Sequence, residues 1–184
     1  EHKEREHFFT SAKVVAGITL ISRIFGFFRD MGITSLGATR CNDAFGLAFK
    51  IPNLFRRLFG EGALASAFVP VFTDVSEKQG IEKARLLLAN SFAILTVFLA
   101  FLLVIGEVCF FAYSLLPGPK DRQILMLFAM IMYPYMFTVC LLALCSAALN
   151  SRGHFIYPAA APIIFNIFGI AAAWWVAPAM KQNL

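Results

Sequence analysis

Three stretches of this chain run for a helix length or more without one Asp, Glu, Lys or Arg: residues 86–106, 123–151 and 153–180. At ~1.5 Å of rise per helical residue, about 20 residues cross a ~30 Å hydrocarbon core. Each stretch is therefore long enough to span a bilayer. With 59% hydrophobic residues, 15% charged residues and 21 Phe in 184 positions, the composition excludes an ordinary soluble domain.

The charges are unevenly placed. Arg23, Arg29 and Asp30 fall in an otherwise apolar segment, and Lys50, Arg56, Arg57 and Glu61 fall in the next. A charge at bilayer depth costs at least ~2.5–3.5 kcal/mol, so such residues face a polar cavity or one another. Between Ser22 and Glu61 there are six Lys/Arg against three Asp/Glu. That excess of cations suits a cavity that receives an anion inside a membrane. Guanidinium remains charged at physiological pH and presents a planar fork of donors matched to phosphate and diphosphate oxygens. Two plainer readings stay open: the cations snorkel to headgroups, or Arg57 and Glu61 form a structural ion pair.

The expected architecture is all-α, a polytopic transmembrane helix bundle of about five spans at 8–36, 45–72, 86–116, 123–149 and 155–180. The second is expected to bend at Pro52, because proline lacks the donor and crowds the preceding turn. Residues 74–85 read as a solvated connection and Pro117-Gly118-Pro119 as a firm break. An N-terminus inside places Lys3, Arg5, Lys13, Lys78, Lys83, Arg85 and Arg152 on the cytoplasmic side, with Arg40, Lys120, Arg122 and Lys181 outside. Seven against four favours a cytoplasmic N-terminus. On an ideal wheel Arg23, Gly26 and Asp30 share a face, whereas Arg29 lies on the side of Ser22. Asp43, Lys50, Asn53, Arg57 and Glu61 share a sector of the second helix if that helix is regular.

Other functions find little support. The four cysteines lack metal or redox spacing and read as packing residues. No nucleophile with a base and no cluster of carboxylates and histidines occurs in the apolar segments, so neither an enzyme nor a metal or cofactor site is expected. No basic patch on a soluble face suggests nucleic acid. Glu107, alone in the third span, reads as an interfacial carboxylate or as an ion-coupling group.

Ser22-Arg23-x-x-Gly26-x-x-Arg29-Asp30 resembles the first-helix signature of the MurJ/MviN family of bacterial lipid II flippases. The run from Asp43 through Lys50-Ile-Pro52-Asn53-Leu-Phe-Arg56-Arg57 to Glu61 resembles the second. Phe155-x-x-Pro158-Ala-x-x-Pro162-x-x-x-Asn166 is similar to the stretch leading into the fifth. The resemblance implies a MATE-like transporter of the multidrug/oligosaccharidyl-lipid/polysaccharide (MOP) superfamily in the bacterial cytoplasmic membrane. It implies alternating access by two lobes around a cationic cavity, with lipid II as substrate and membrane lipids around it. Substrate-binding arginines then map to Arg23, Arg29 and Arg56, with Ser22, Asp30, Asp43, Asn53, Arg57 and Glu61 in support. Five spans are fewer than the six of one lobe, so the chain reads as part of an N-terminal lobe whose partner is the C-terminal lobe of the same protein. Rival readings are a flippase for another polyprenyl-diphosphate-linked oligosaccharide, a membrane enzyme acting on such lipids, and a truncated non-transporting membrane module.

Overall fold

Every regular element among the described residues is helical. A computed structural model of the chain describes residues 2–35, 40–61, 63–171 and 174, with the side chains of 2–12, 34–35, 40–42, 60–61, 63 and 65 outside that description. The helices are α1 (His2–Ser35), α2 (Arg40–Arg56), a π-helical turn (Arg57–Glu61), α3 (Ala63–Gln79), α4 (Ile81–Ser114), α5 (Lys120–Met132), α6 (Pro134–Ser151) and α7 (Ile156–Ala171). They form two compact units. One holds α1 and α7, which pack on each other; the other is Asp43–Arg152.

In the second unit α3, α4 and α6 enclose a small core. Leu99 of α4 and Met136, Cys140 and Leu144 of α6, all fully buried, belong to one core cluster with Phe72 of α3 and Ala84 of α4. Ala147 and Ala148 continue the buried stripe of α6; such small side chains let helix backbones approach closely. The outside of α4 is apolar as well: Ile94, Val97, Phe101, Val104, Val108 and Phe111 are all exposed. A surface of that kind is unfavourable in water at ~25 cal/mol per Å² and at home in hydrocarbon. Two runs, Ile81–Ser114 and Lys120–Ser151, are long and apolar enough to cross a membrane.

Several local expectations are corrected. Helix α2 is unbroken through Pro52, whose ring is fully buried, and the change from α- to π-helical bonding comes later, at Arg57–Glu61. The connection expected at 74–85 is helical on both sides of one residue, Gly80. Charged surface positions need not form a loop: Asp74 and Lys78 pair at 2.6 Å across one turn of α3, and Arg85 reaches Glu82 at 3.0 Å in α4. The run at 120–151 stays one helical run of span length, with Tyr133 at helical angles (φ −62°, ψ −38°) and α5 and α6 set apart only at Pro134, which supplies no N–H to the preceding turn. Helix α7 is described to Ala171; the remainder of the stretch expected to run to 180 lies outside the described residues, apart from 174.

Gly80 itself sits at φ 86°, ψ 168°, a conformation essentially reserved for glycine. Gly80→Ala is expected to destabilise the α3–α4 junction by ~1–3 kcal/mol, read as a lower unfolding midpoint in detergent. An unchanged midpoint would show that the turn relaxes freely.

Candidate functional site

Ser22, Gly26 and Arg29 recur at i, i+4 and i+7, so one face of α1 carries all three. That face meets Asn166 of α7. Asn166 is 6% exposed and is the buried polar residue of the described core. Its Nδ2 donates to the Ser22 carbonyl at 2.8 Å, and its Oδ1 accepts from Arg29 Nη1 at 2.9 Å. Both bonds dictate the amide's orientation, because the reverse would set two donors against each other. The amide lies close over Gly26, where an added Cβ would stand 3.5 Å from Nδ2, an ordinary van der Waals contact.

Arg29 is held along its whole length. Its methylenes cross α7 at Gly169, where an added Cβ would lie 2.7 Å from Cδ and 2.9 Å from Cγ. Its Nε and Nη2 donate to Asp30 Oδ1 at 3.0 and 2.8 Å, and the guanidinium carbon lies 5.4 Å from the centre of the Phe165 ring. The side chain is 22% exposed and that of Asp30 64%. Guanidinium has five N–H donors. Three of them are engaged by Asp30 and Asn166, which leaves two without a protein partner among the described residues.

The effective stripe of α1 is therefore Ser22/Gly26/Arg29 rather than Arg23/Gly26/Asp30. Asp30 joins it by reaching sideways to its sequence neighbour. Arg23 lies off that stripe, exposed, with no ion-pair partner among the described residues.

In the second unit Arg56 is half-buried and its Nε donates to Asn53 Oδ1 at 3.0 Å, one turn back along α2. Asp43, Lys50 and Arg57 are exposed and form no ion pair with one another. The expected pairing of Arg57 with Glu61 falls outside the described side chains. Those residues form the π turn, whose i→i+5 bonding widens the helix and shifts the phase of its side chains. The Glu61 side chain lies outside the described residues. No group of three His, Cys, Asp or Glu close enough to hold a metal occurs among the described residues.

Chemically, unit one offers a guanidinium clamped by a carboxylate and an amide, with donors to spare and a second cation on the same helix. Such a fork accepts two oxygens of one phosphate in parallel. The signal that could have drawn attention to Asn166 is its isolation. It is the one carboxamide in α7, among Ile, Phe, Ala and Pro, and a polar side chain in such a helix has to find a partner inside the protein.

A family model described as lipid II flippase MurJ matches residues 33–184, a range that includes Asp43, Asn53, Arg56, Arg57, Glu61 and Asn166 and begins after Arg29. A probable lipid II flippase MurJ of Buchnera aphidicola subsp. Acyrthosiphon pisum is 39% identical over 162 residues, covering 83% of this chain and 31% of that protein. The lipid II flippase MurJ of Burkholderia cenocepacia is 37% identical over 180 residues, covering 94% of this chain and 35% of its own length. A probable lipid II flippase MurJ of Vibrio cholerae is 33% identical over 186 residues, with shares of 94% and 35%. The chain spans about a third of the length of the curated relatives it matches.

Proposed function

Since this chain belongs to the MurJ family of lipid II flippases, we propose that it serves to move lipid II, the undecaprenyl-diphosphate-linked peptidoglycan precursor, from the cytoplasmic to the outer leaflet. The protein is an all-helical membrane protein. It would lie in the bacterial cytoplasmic membrane as a multi-pass bundle with its N-terminus inside, as the distribution of loop cations favours. Movement would proceed by alternating access, which requires a second lobe to rock against this one around a shared site.

The observation that carries the reading is Arg29: oriented on α1 by Asp30 and Asn166, three-quarters shielded, and still possessing N–H groups without a partner among the described residues. Arg29, Arg23 and Arg56 would together hold the diphosphate. Asp30, Asp43 and Glu61 would limit repulsion between the arginines in the empty state, with Ser22, Asn53 and Arg57 in support. The sugar-peptide headgroup would occupy the cavity and the polyprenyl tail would remain in lipid. No bond of the substrate changes, so the work asked of the protein is binding and reorientation.

The test is translocation by the full-length protein in sealed vesicles. Purified lipid II in the vesicle membrane is expected to become accessible on the opposite face. A polyprenyl-diphosphate carrying an O-antigen-type oligosaccharide is expected to move far more slowly. Equal transport of both, or of the second alone, would replace lipid II by another polyprenyl-diphosphate as the substrate.

A further inference from the structure

We infer that α7 is the positioning element for Arg29: Asn166 as an uncharged acceptor, and Gly169 through the side chain it lacks, set where that guanidinium stands without neutralising it. The inference rests on the reading of Arg29 as a diphosphate ligand and adds to it how the ligand is held.

Two separate contacts support it. Asn166 reaches Nη1 at 2.9 Å, and its own amide is kept from rotating by the 2.8 Å bond to the Ser22 carbonyl. Gly169 makes a flat place on α7 for the aliphatic stem, since a Cβ would fall 2.7 Å from Arg29 Cδ. Head and stem are thus fixed by one helix three residues apart, positions that share a face. The acceptor's neutrality matters as much as its position. Arg29 already has one carboxylate, Asp30, on its Nε–Nη2 edge. An aspartate at 166 has an acceptor for Arg29 but no donor for the Ser22 carbonyl, and it would leave one cation between two anions and repel a diphosphate. Asparagine has the same shape and leaves the charge balance alone. Asn166 contacts no substrate in this scheme; it is a positioning residue.

The experiment uses the full-length protein with two readouts: the rate at which phenylglyoxal labels Arg29, followed by mass spectrometry, and the binding of purified lipid II. Asn166→Leu and Gly169→Leu are each expected to raise the labelling rate several-fold and to weaken lipid II binding about tenfold, the loss of one charge-assisted hydrogen bond. In an Arg29→Ala background Asn166→Leu is expected to weaken binding no further. Asn166→Asp is expected to bind lipid II about tenfold or more weakly. Unchanged labelling in both leucine variants would overturn the inference, as would additive losses with Arg29→Ala or parental binding by Asn166→Asp. Failure of both leucine variants to fold would also overturn it, because α7 would then serve packing alone. Parental lipid II binding by Arg29→Ala is a different result: it removes the substrate assignment, while the labelling rates still decide the positioning.

Discussion

Arg29→Ala in the full-length protein is expected to reduce lipid II translocation by about 100-fold or more while membrane insertion remains normal. Hydrogen bonds to charged groups contribute ~1.5–3 kcal/mol each, so losing a fork that grips a diphosphate removes on the order of 3 kcal/mol, a factor of about 100. The truncation has a second consequence within the protein. It leaves the buried Oδ1 of Asn166 without its donor, a penalty of ~1–3 kcal/mol for an unsatisfied polar atom. Asp30 is mostly exposed and loses little. Translocation and unfolding midpoint should therefore both fall, the first far more. Arg29→Lys separates charge from geometry: lysine retains the charge as a point and loses the fork, so activity between parent and alanine variant is expected. Full translocation by a normally inserted Arg29→Ala protein would remove Arg29 from the site.

Gly106→Leu should be the most damaging single change in the second unit. Gly106 of α4 lies flat against the ring of Tyr133, so close that an added Cβ would overlap Cε1 and fall 2.7 Å from the hydroxyl oxygen. The ring cannot readily withdraw. Its hydroxyl donates to the Leu102 carbonyl at 3.3 Å, it stands T-shaped to the Phe110 ring with centroids 5.3 Å apart, and it is 7% exposed. Overpacking of this kind costs ~1–3 kcal/mol or more, since backbone or rotamers have to move. The expected outcome is a lower midpoint and less folded protein in detergent. Tyr133→Ala should restore much of the loss in the double variant, because the space vacated by the ring receives the leucine. Such coupling, measured as the departure from additivity, is the check. Additive losses would mean that α4 and the α5–α6 junction meet differently from the contact described.

Part of this fold is legible in the amino-acid sequence. Long uncharged runs dictated helices, because their length matches a bilayer and their side chains prefer hydrocarbon; α4 and the α5–α6 run bear that out as helices able to cross a membrane. Arg23, Arg29 and Asp30 drew attention through their cost alone. Local detail was less accessible. A wheel assumes one period throughout, and the π turn at Arg57–Glu61 changes that period where two site residues stand. The charged stretch at 74–85 looked like a loop, but paired charges on successive turns serve a helix equally well, and only Gly80 interrupts it.

Asn166 shows where sequence reasoning stops. The chain alone determined that a polar side chain among Ile, Phe and Ala on α7 needs an internal partner, since hydrocarbon offers none. It also determined that arginines embedded in an apolar helix have to serve some polar purpose. Which partner each takes depended on helices 137 residues apart in the chain coming side by side. Periodicity along one helix describes only that helix's own faces. The choice of Arg29 over Arg23 as the clamped guanidinium, and of a neutral amide as one of its anchors, was therefore decided by the packing of α1 on α7.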